Sequence, residues 1–358
     1  MKLNIYNLID KNHTKSSIQA IKNDELSIQI EKSLKILKQK RIKLKDFSKK
    51  VYIDYSTLWK FLKNRESIPL RILETLESDT GCQLGPYIIE LRSGQSNSEI
   101  RFPCNINQEL SQICGAIVAD GHLRNRKSGR GQHYEIVIRE GYESNMLALS
   151  EWFKNVFNFK PIIKKEKNHY LIYISNKIIY SIFTKVIGIP PGKKSEIVNI
   201  PKCIKGSSVE NKKAFLQGLF MFDGGVEYRT GYVDLISRSK KLIKDTLSVL
   251  REIDLEPDYI GMKPDSFDRY KLRFRKNNKL KKCLILFQKN TEKWYRLTEH
   301  LEGLTKQTKD LKIALKYFDI YYPKVRENSI TFSDIIKAVH KLQEADIKSI
   351  ANEVDRKK

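Results

Sequence analysis

The chain has 358 residues, 40% of them apolar, enough for two or three packed domains. Its 67 lysines and arginines against 42 aspartates and glutamates give a formal charge of +25, which points to a polyanionic partner, nucleic acid first, and says nothing of fold. No window reaches the ~18 uninterrupted apolar residues of a membrane span, and the opening residues lack the apolar centre and cleavage site of a signal peptide, so a cytoplasmic protein without membrane contact is expected. The five cysteines never form CxxC and the six histidines never form HxxxH or HxH; a disulfide framework, a zinc ribbon and a histidine-bound metal are therefore not expected.

Residues 1–26 form an N-terminal segment without a clear signature. Residues 27–92 read as short helices: SLKILKQKR, KLKDFSKKV, a turn at YID, YSTLWKFLKN, and PLRILETLES opened by Pro69. Phe47 and Val51 share one face of the second helix, Asp54 can cap the third, and Leu58, Phe61 and Leu62 give the third its inner face. This pattern resembles a helix-turn-helix of the phage-repressor type, an all-α domain whose third helix would enter a major groove and expose Tyr55, Ser56, Thr57, Trp59 and Lys60. Tyr52 stands where that turn usually has glycine. A helical bundle that only packs on the next domain is the alternative. The small polar run SGQSNSE marks a linker over 93–104.

From 105 to 325 the chain runs twice through the same order of elements, in units of 105–212 and 213–325. After ICGAIVADG and again after LQGLFMFDGG come a hairpin, a helix, more strand, and a helix leading to a basic loop. The fold class is α+β, a duplicated unit with antiparallel sheets. The tail, 326–358, reads as two helices and a turn: a partial helix-turn-helix, or a plain C-terminal helical cap.

The residues before each Asp-Gly are apolar on nearly all sides, so both helices must be buried all round. Gly115 and Gly218 each stand five positions before an aspartate, and a glycine inside a helix costs about 1 kcal/mol relative to alanine. Close approach of two backbones would offset that. Asp120 and Asp223 sit in last turns, against the negative end of the macrodipole. If the helices lie side by side the two carboxylates also repel each other. A divalent cation held by both, Mg²⁺ or Mn²⁺, would offset these costs, because hard oxygen ligands suit it.

CGAIVADG and QGLFMFDGG resemble the two signature helices of the LAGLIDADG homing endonucleases, in the single-chain form that carries both halves. The resemblance implies two αββαββα halves forming a pseudo-symmetric saddle on double-stranded DNA, a monomer, and one metal-binding aspartate per half, at Asp120 and Asp223. The family's earlier motif aspartate is Val118 and Met221 here. IGIPPGKKSEIVNIP is similar to a segment in which a basic residue near the active site polarises water or phosphate, a role that falls to Lys193 or Lys194, with Lys306 as the counterpart in the second half.

Strand alternation supports a cationic sheet face. Lys271, Arg273 and Arg275 alternate with Tyr270, Leu272 and Phe274; Arg238 extends Asp234 and Ile236 opposite Val233 and Leu235; Arg139 joins Glu135 and Val137 opposite Ile136 and Ile138. His122, Arg124 and Arg126 would reach farther along a duplex. Residues 1–100 carry a net charge of +6 and the remainder +19, so most of the excess lies with the duplicated unit. The expected activity is metal-dependent, site-specific cleavage of both DNA strands. Two rivals keep the same fold: a DNA-binding regulator without catalysis, and an RNA-splicing maturase.

Overall fold

The structure is a computed structural model that describes residues 1–10, 18–63, 65–93, 98–129, 131–227 and 230–301. The tail at 326–358 and the expected Lys306 lie outside the described residues.

The N-terminal region is not all-α. It contains β1 (Ile18–Ile21), α1 (Asp24–Gln39), α2 (Leu44–Lys50), α3 (Tyr55–Lys63), β2 (Ser67–Pro69), α4 (Leu70–Thr80), β3 (Glu90–Ser93) and β4 (Glu99–Arg101). The four strands form one sheet in the order β2-β1-β3-β4. Each spans three or four residues, too few for a period of two to stand out in the sequence. The stretch expected as a linker thus carries β4, and the opening segment is tied down: Leu3 donates to the Cys104 carbonyl at 2.8 Å and Ile106 to that of Met1 at 3.0 Å.

Helices α2 and α3 meet at a turn in which Tyr52 adopts a left-handed backbone, φ 55°. Glycine adopts that conformation freely, whereas a tyrosine there carries strain of about 1–2 kcal/mol. Arg71 lies 5.9 Å from the Tyr52 ring, and Asp54 caps α3 by accepting from the Thr57 amide at 2.8 Å.

The first half follows as α5 (Gln108–Ala119), β5 (His122–Ser128), β6 (Gly131–Glu140), α6 (Glu143–Phe157), β7 (Ile163–Glu166), β8 (His169–Ser175) and α7 (Lys177–Ser181), which runs on into a π-helical turn over Ile182–Ile187. After α8 (Lys202–Lys205), the second half repeats the order as α9 (Val209–Asp223), β9 (Gly224–Val226), β10 (Val233–Ser237), α10 (Lys240–Glu252), β11 (Tyr259–Gly261), β12 (Tyr270–Phe274) and α11 (Asn277–Cys283), closed by α12 (Glu292–Leu301). The sheets are equivalent strand for strand, β5-β6-β8-β7 and β9-β10-β12-β11, and every pairing is antiparallel.

Helices α5 and α9 form the axis between the halves. Asn107 starts α5 by accepting from the Leu110 amide at 2.8 Å, and Ser208 starts α9. A Cβ built on Gly115 would stand 2.6 Å from the Leu219 amide nitrogen and collide with the Phe215 carbonyl; one on Gly218 would lie 2.8 Å from the carbonyl carbon of Gln112. The two backbones therefore touch, and each glycine is required by the other helix. Gly121 and Gly224 have a different use: a Cβ there would meet the backbone of Ile117 or Phe220 in the residue's own helix, so glycine lets the chain fold straight back into a strand.

Two outcomes follow. Tyr52→Gly should raise stability by about 0.5–1 kcal/mol in chemical denaturation, since the residue is 71% exposed and glycine removes the strain. Gly115→Ala should lower stability by about 2–3 kcal/mol, because only backbone stands in its way and backbone cannot turn aside.

Candidate active site

The aspartates end the two central helices side by side. Asp120 is the residue after α5 and Asp223 the last of α9, and both line one cleft of about 430 Å³. His122, Lys193, Lys194 and Arg238 line it too, so six of the residues expected from sequence come together there.

Burial pushes the Asp223 carboxyl up to about 7, and the neighbouring Asp120 charge adds to the rise against the pull of Lys194 and Lys293. Asp120 is more open to solvent; the protein packed about its carboxylate still raises its pKa, outweighing Lys293 and Lys194. The charge of Asp120 felt at Asp223 sets the two carboxyls near each other.

The lysines divide into two kinds. Lys193 is exposed at the cleft rim, whereas Lys194 is 8% exposed and donates to the carbonyls of Val118 and, at 2.9 Å, Ala119. Burial draws the Lys194 ammonium down to about 8, opposed by Asp223 and Asp120. In the second half the same place is filled by Lys293 of α12, which donates to Met221 at 2.8 Å, Phe222 at 3.0 Å and Phe220 at 3.4 Å. Its pKa is lowered by burial, against Glu140, Asp120 and Asp223. Each ammonium caps carbonyls one and two residues before a motif aspartate. The dipole penalty inferred from sequence is thus met, in part, by the protein's own cations.

Sequence reading missed Lys293 because TEKWYRLTEHL scans as an ordinary amphipathic helix. One signal was available: Lys194 follows Asp120 by 74 residues and Lys293 follows Asp223 by 70.

The halves differ in one acid. Glu140, at the end of β6, is buried, and burial raises its pKa against the pull of Lys293. The pairings His122↔Val137 and Gly225↔Asp234 make Ser237 its counterpart in the second half. Asn145 of α6 also donates to the Met221 carbonyl at 3.1 Å.

The sheet cations are less free than alternation suggested. Arg273 binds both oxygens of Asp234, at 2.5 and 2.6 Å, and Lys271 reaches the same carboxylate at 3.1 Å. Arg126 pairs at 2.5 Å with Glu135, which also accepts from the Tyr173 hydroxyl at 2.7 Å. Glu135 and Val137 are buried, a correction to the open face expected for β6: side chains from the flanking strands cover it. Arg139, Arg238 and Arg275 are exposed and Arg124 half-buried. Burial lowers the His122 pKa, with Arg124, Lys194 and Arg139 adding to the effect.

No family model matches the chain. Among curated proteins, it is 27% identical over 263 residues to the replication factor C small subunit of Methanocaldococcus jannaschii, covering 65% of this chain and 13% of that protein. It is 27% identical over 143 residues to an A-type ATP synthase subunit of Pyrococcus abyssi, covering 40% of this chain and again 13% of the relative. The chain thus spans about an eighth of the relatives it matches. Among solved structures, I-DmoI in complex with DNA and Mn is 17% identical with a TM-score of 0.41, covering 52% of this chain and 100% of that one. Full-length DUF199/WhiA from Thermatoga maritima is 14% identical with a TM-score of 0.34, covering 62% and 68%. In its paired Asp-Gly motifs, and in the doubled αββαββα unit that sets them against each other, the chain resembles the LAGLIDADG family.

Proposed function

We propose that this chain is a site-specific endonuclease that cuts both strands of duplex DNA, with one reaction centre on each motif helix. The observation that carries the reading is the meeting of Asp120 and Asp223 in one basic cleft, each at the end of a helix locked by glycine to the other. The two relatives of different named activity share only about an eighth of their length with this chain, so the shared segment is separable from those activities.

The donor set suits a hard divalent cation such as Mg²⁺ or Mn²⁺. Asp120 and Asp223 present carboxylates whose pKa values burial raises against the pull of Lys194 and Lys293, with the Asp120 charge adding to the rise at Asp223. Among the described residues no three histidine, cysteine or acidic side chains converge as a full ligand set, which leaves the remaining positions to water and phosphate. Such a cation, when bound, supplies the positive charge that activates water and stabilises a leaving oxygen. Lys194 and Lys293 hold the helix ends so that both carboxylates face the cleft, and their ammonium charges favour a phosphate there. Arg124, Arg139, Arg238 and Arg275 would lie along the duplex, where arginine pairs well with guanine or phosphate; His122 and Lys193 would line the central phosphates. Arg126, Lys271 and Arg273 would reach DNA as members of ion pairs, which fixes their orientation. Ser56, Thr57 and Lys60 on α3 would touch flanking sequence. Internal two-fold pseudo-symmetry lets one monomer address both strands.

A second reading, a regulator that binds DNA without cutting, is favoured by one observation. Lys194 and Lys293 give both helix ends a counter-charge of the protein's own. Selection of cleaved sites from a randomised duplex library in Mg²⁺ separates the two. Cleavage that Asp120→Asn and Asp223→Asn each reduce on the order of 10³-fold supports the nuclease; unchanged cutting by both rejects the site.

The pKa of Asp223 adds a stability outcome. A carboxyl raised on folding from 3.8 to about 7 withholds stability progressively as pH climbs through that window. In metal-free protein, Asp223→Asn should therefore raise stability by about 1–3 kcal/mol at pH 7.5 and leave it nearly unchanged at pH 4, read from Tm. Because each buried lysine serves one half, Lys194→Met and Lys293→Met should each slow nicking of a different strand by about 10–100-fold, seen on end-labelled duplex.

A further inference from the structure

A broad groove lies far from the aspartates in sequence, in the N-terminal region. It runs between the second half of α1, the turn into α2, and α3, with a volume of about 1070 Å³, at the top of the ~300–1,000 Å³ range of ligand pockets. Six cations line it, Lys35, Lys38, Arg41, Lys43, Lys45 and Lys63, against a single acid, Glu31, which lies 3.7 Å from Lys63. Arg41 sits at the bend in a left-handed conformation, φ 58°, strain that glycine would relieve and that leaves a cation at the rim. Tyr55 and Trp59 also line the groove, 48% and 43% exposed. They stand four residues apart, on one stripe of α3. Two large rings left open to water on a nine-residue helix are unusual unless something covers them.

We propose that this groove binds single-stranded DNA, with Trp59 and Tyr55 stacking on successive bases and the surrounding lysines and Arg41 holding the phosphates. Aromatic platforms inside a cationic channel are the chemistry of single-strand binding, because every unpaired base offers a free ring face. A duplex has its base faces already stacked and could offer the rings only its edges. Stacking on the rings and contacts to phosphate use no 2′-hydroxyl, so by themselves they do not tell DNA from RNA. The choice of DNA over RNA rests on the proposed nuclease reading; the stacking site itself does not.

The test uses the full chain and fluorescence anisotropy at fixed salt with three probes: a thymidine oligonucleotide of about 12 nucleotides, its RNA equivalent, and a blunt duplex. Trp59→Ala should weaken oligothymidine binding by about 5- to 100-fold, and Lys38→Glu with Lys43→Glu should weaken it as well, with both losses at least five times larger than those for the duplex. With 5-iodouracil in the oligonucleotide, crosslinks should map to Trp59 or Tyr55. Equal or larger losses on the duplex, or crosslinks confined to residues beyond 105, overturn the groove assignment. Tighter binding of the RNA probe with the same Trp59 dependence overturns the choice of DNA alone. Since affinity is read and not cutting, absence of nuclease activity would leave these outcomes unaffected.

Discussion

The structure depends on the contact between the backbones of α5 and α9. Gly115 and Gly218 remove the side chains that would hold the helix axes apart, and the carbonyls of Phe215 and Gln112 occupy the space. Everything at the cleft inherits its position from that contact, since Asp120 and Asp223 are the residues at which these helices end. The price of two glycines in helix interiors, about 1 kcal/mol each, is offset by burial of surfaces that are apolar on every side. Gln112 and Gln217, joined at 3.0 Å across the pair, add a polar lock.

Such a contact concentrates unfavourable charge. Two helix C-termini and two carboxylates meet in a cleft where burial strengthens every interaction. The protein answers with Lys194 and Lys293, whose ammonium groups bond the last carbonyls of the two helices. The answer is partial, since both aspartates still have raised pKa values. What remains is a cleft in which burial still outweighs the two lysines at both carboxyls.

Much of this was legible in the sequence because it is written in short range. The apolar helices, the internal glycines and the terminal Asp-Gly lie within a dozen residues of one another, and their repetition fixed the pairing. Strand faces were also readable, as Leu272 and Phe274 buried opposite Lys271 and Arg273 show. What escaped is long range or too brief. Glu140 acquires its surroundings only when α12 brings Lys293 to it. Asp234 and Glu135 were visible as acids, but their grip on Arg273 and Arg126 is a matter of register between strands. The N-terminal sheet is made of strands too short to announce a period, and Tyr52, though it stands where such turns use glycine, is not a residue type that favours the left-handed conformation it takes.

Each lysine caps the helix of its own half, while Asn145 and Glu140 of the first half reach across to Met221 and Lys293 of the second. The polypeptide joining the halves is then a tether that enforces one-to-one stoichiometry. Freed from the need to match an identical copy, the two sides can drift apart chemically, as Glu140 beside Lys293 and Ser237 at the matching position of the other half already attest. On the proposed nuclease reading, a tethered pair of this sort would suit a target without palindromic order better than two identical protomers would.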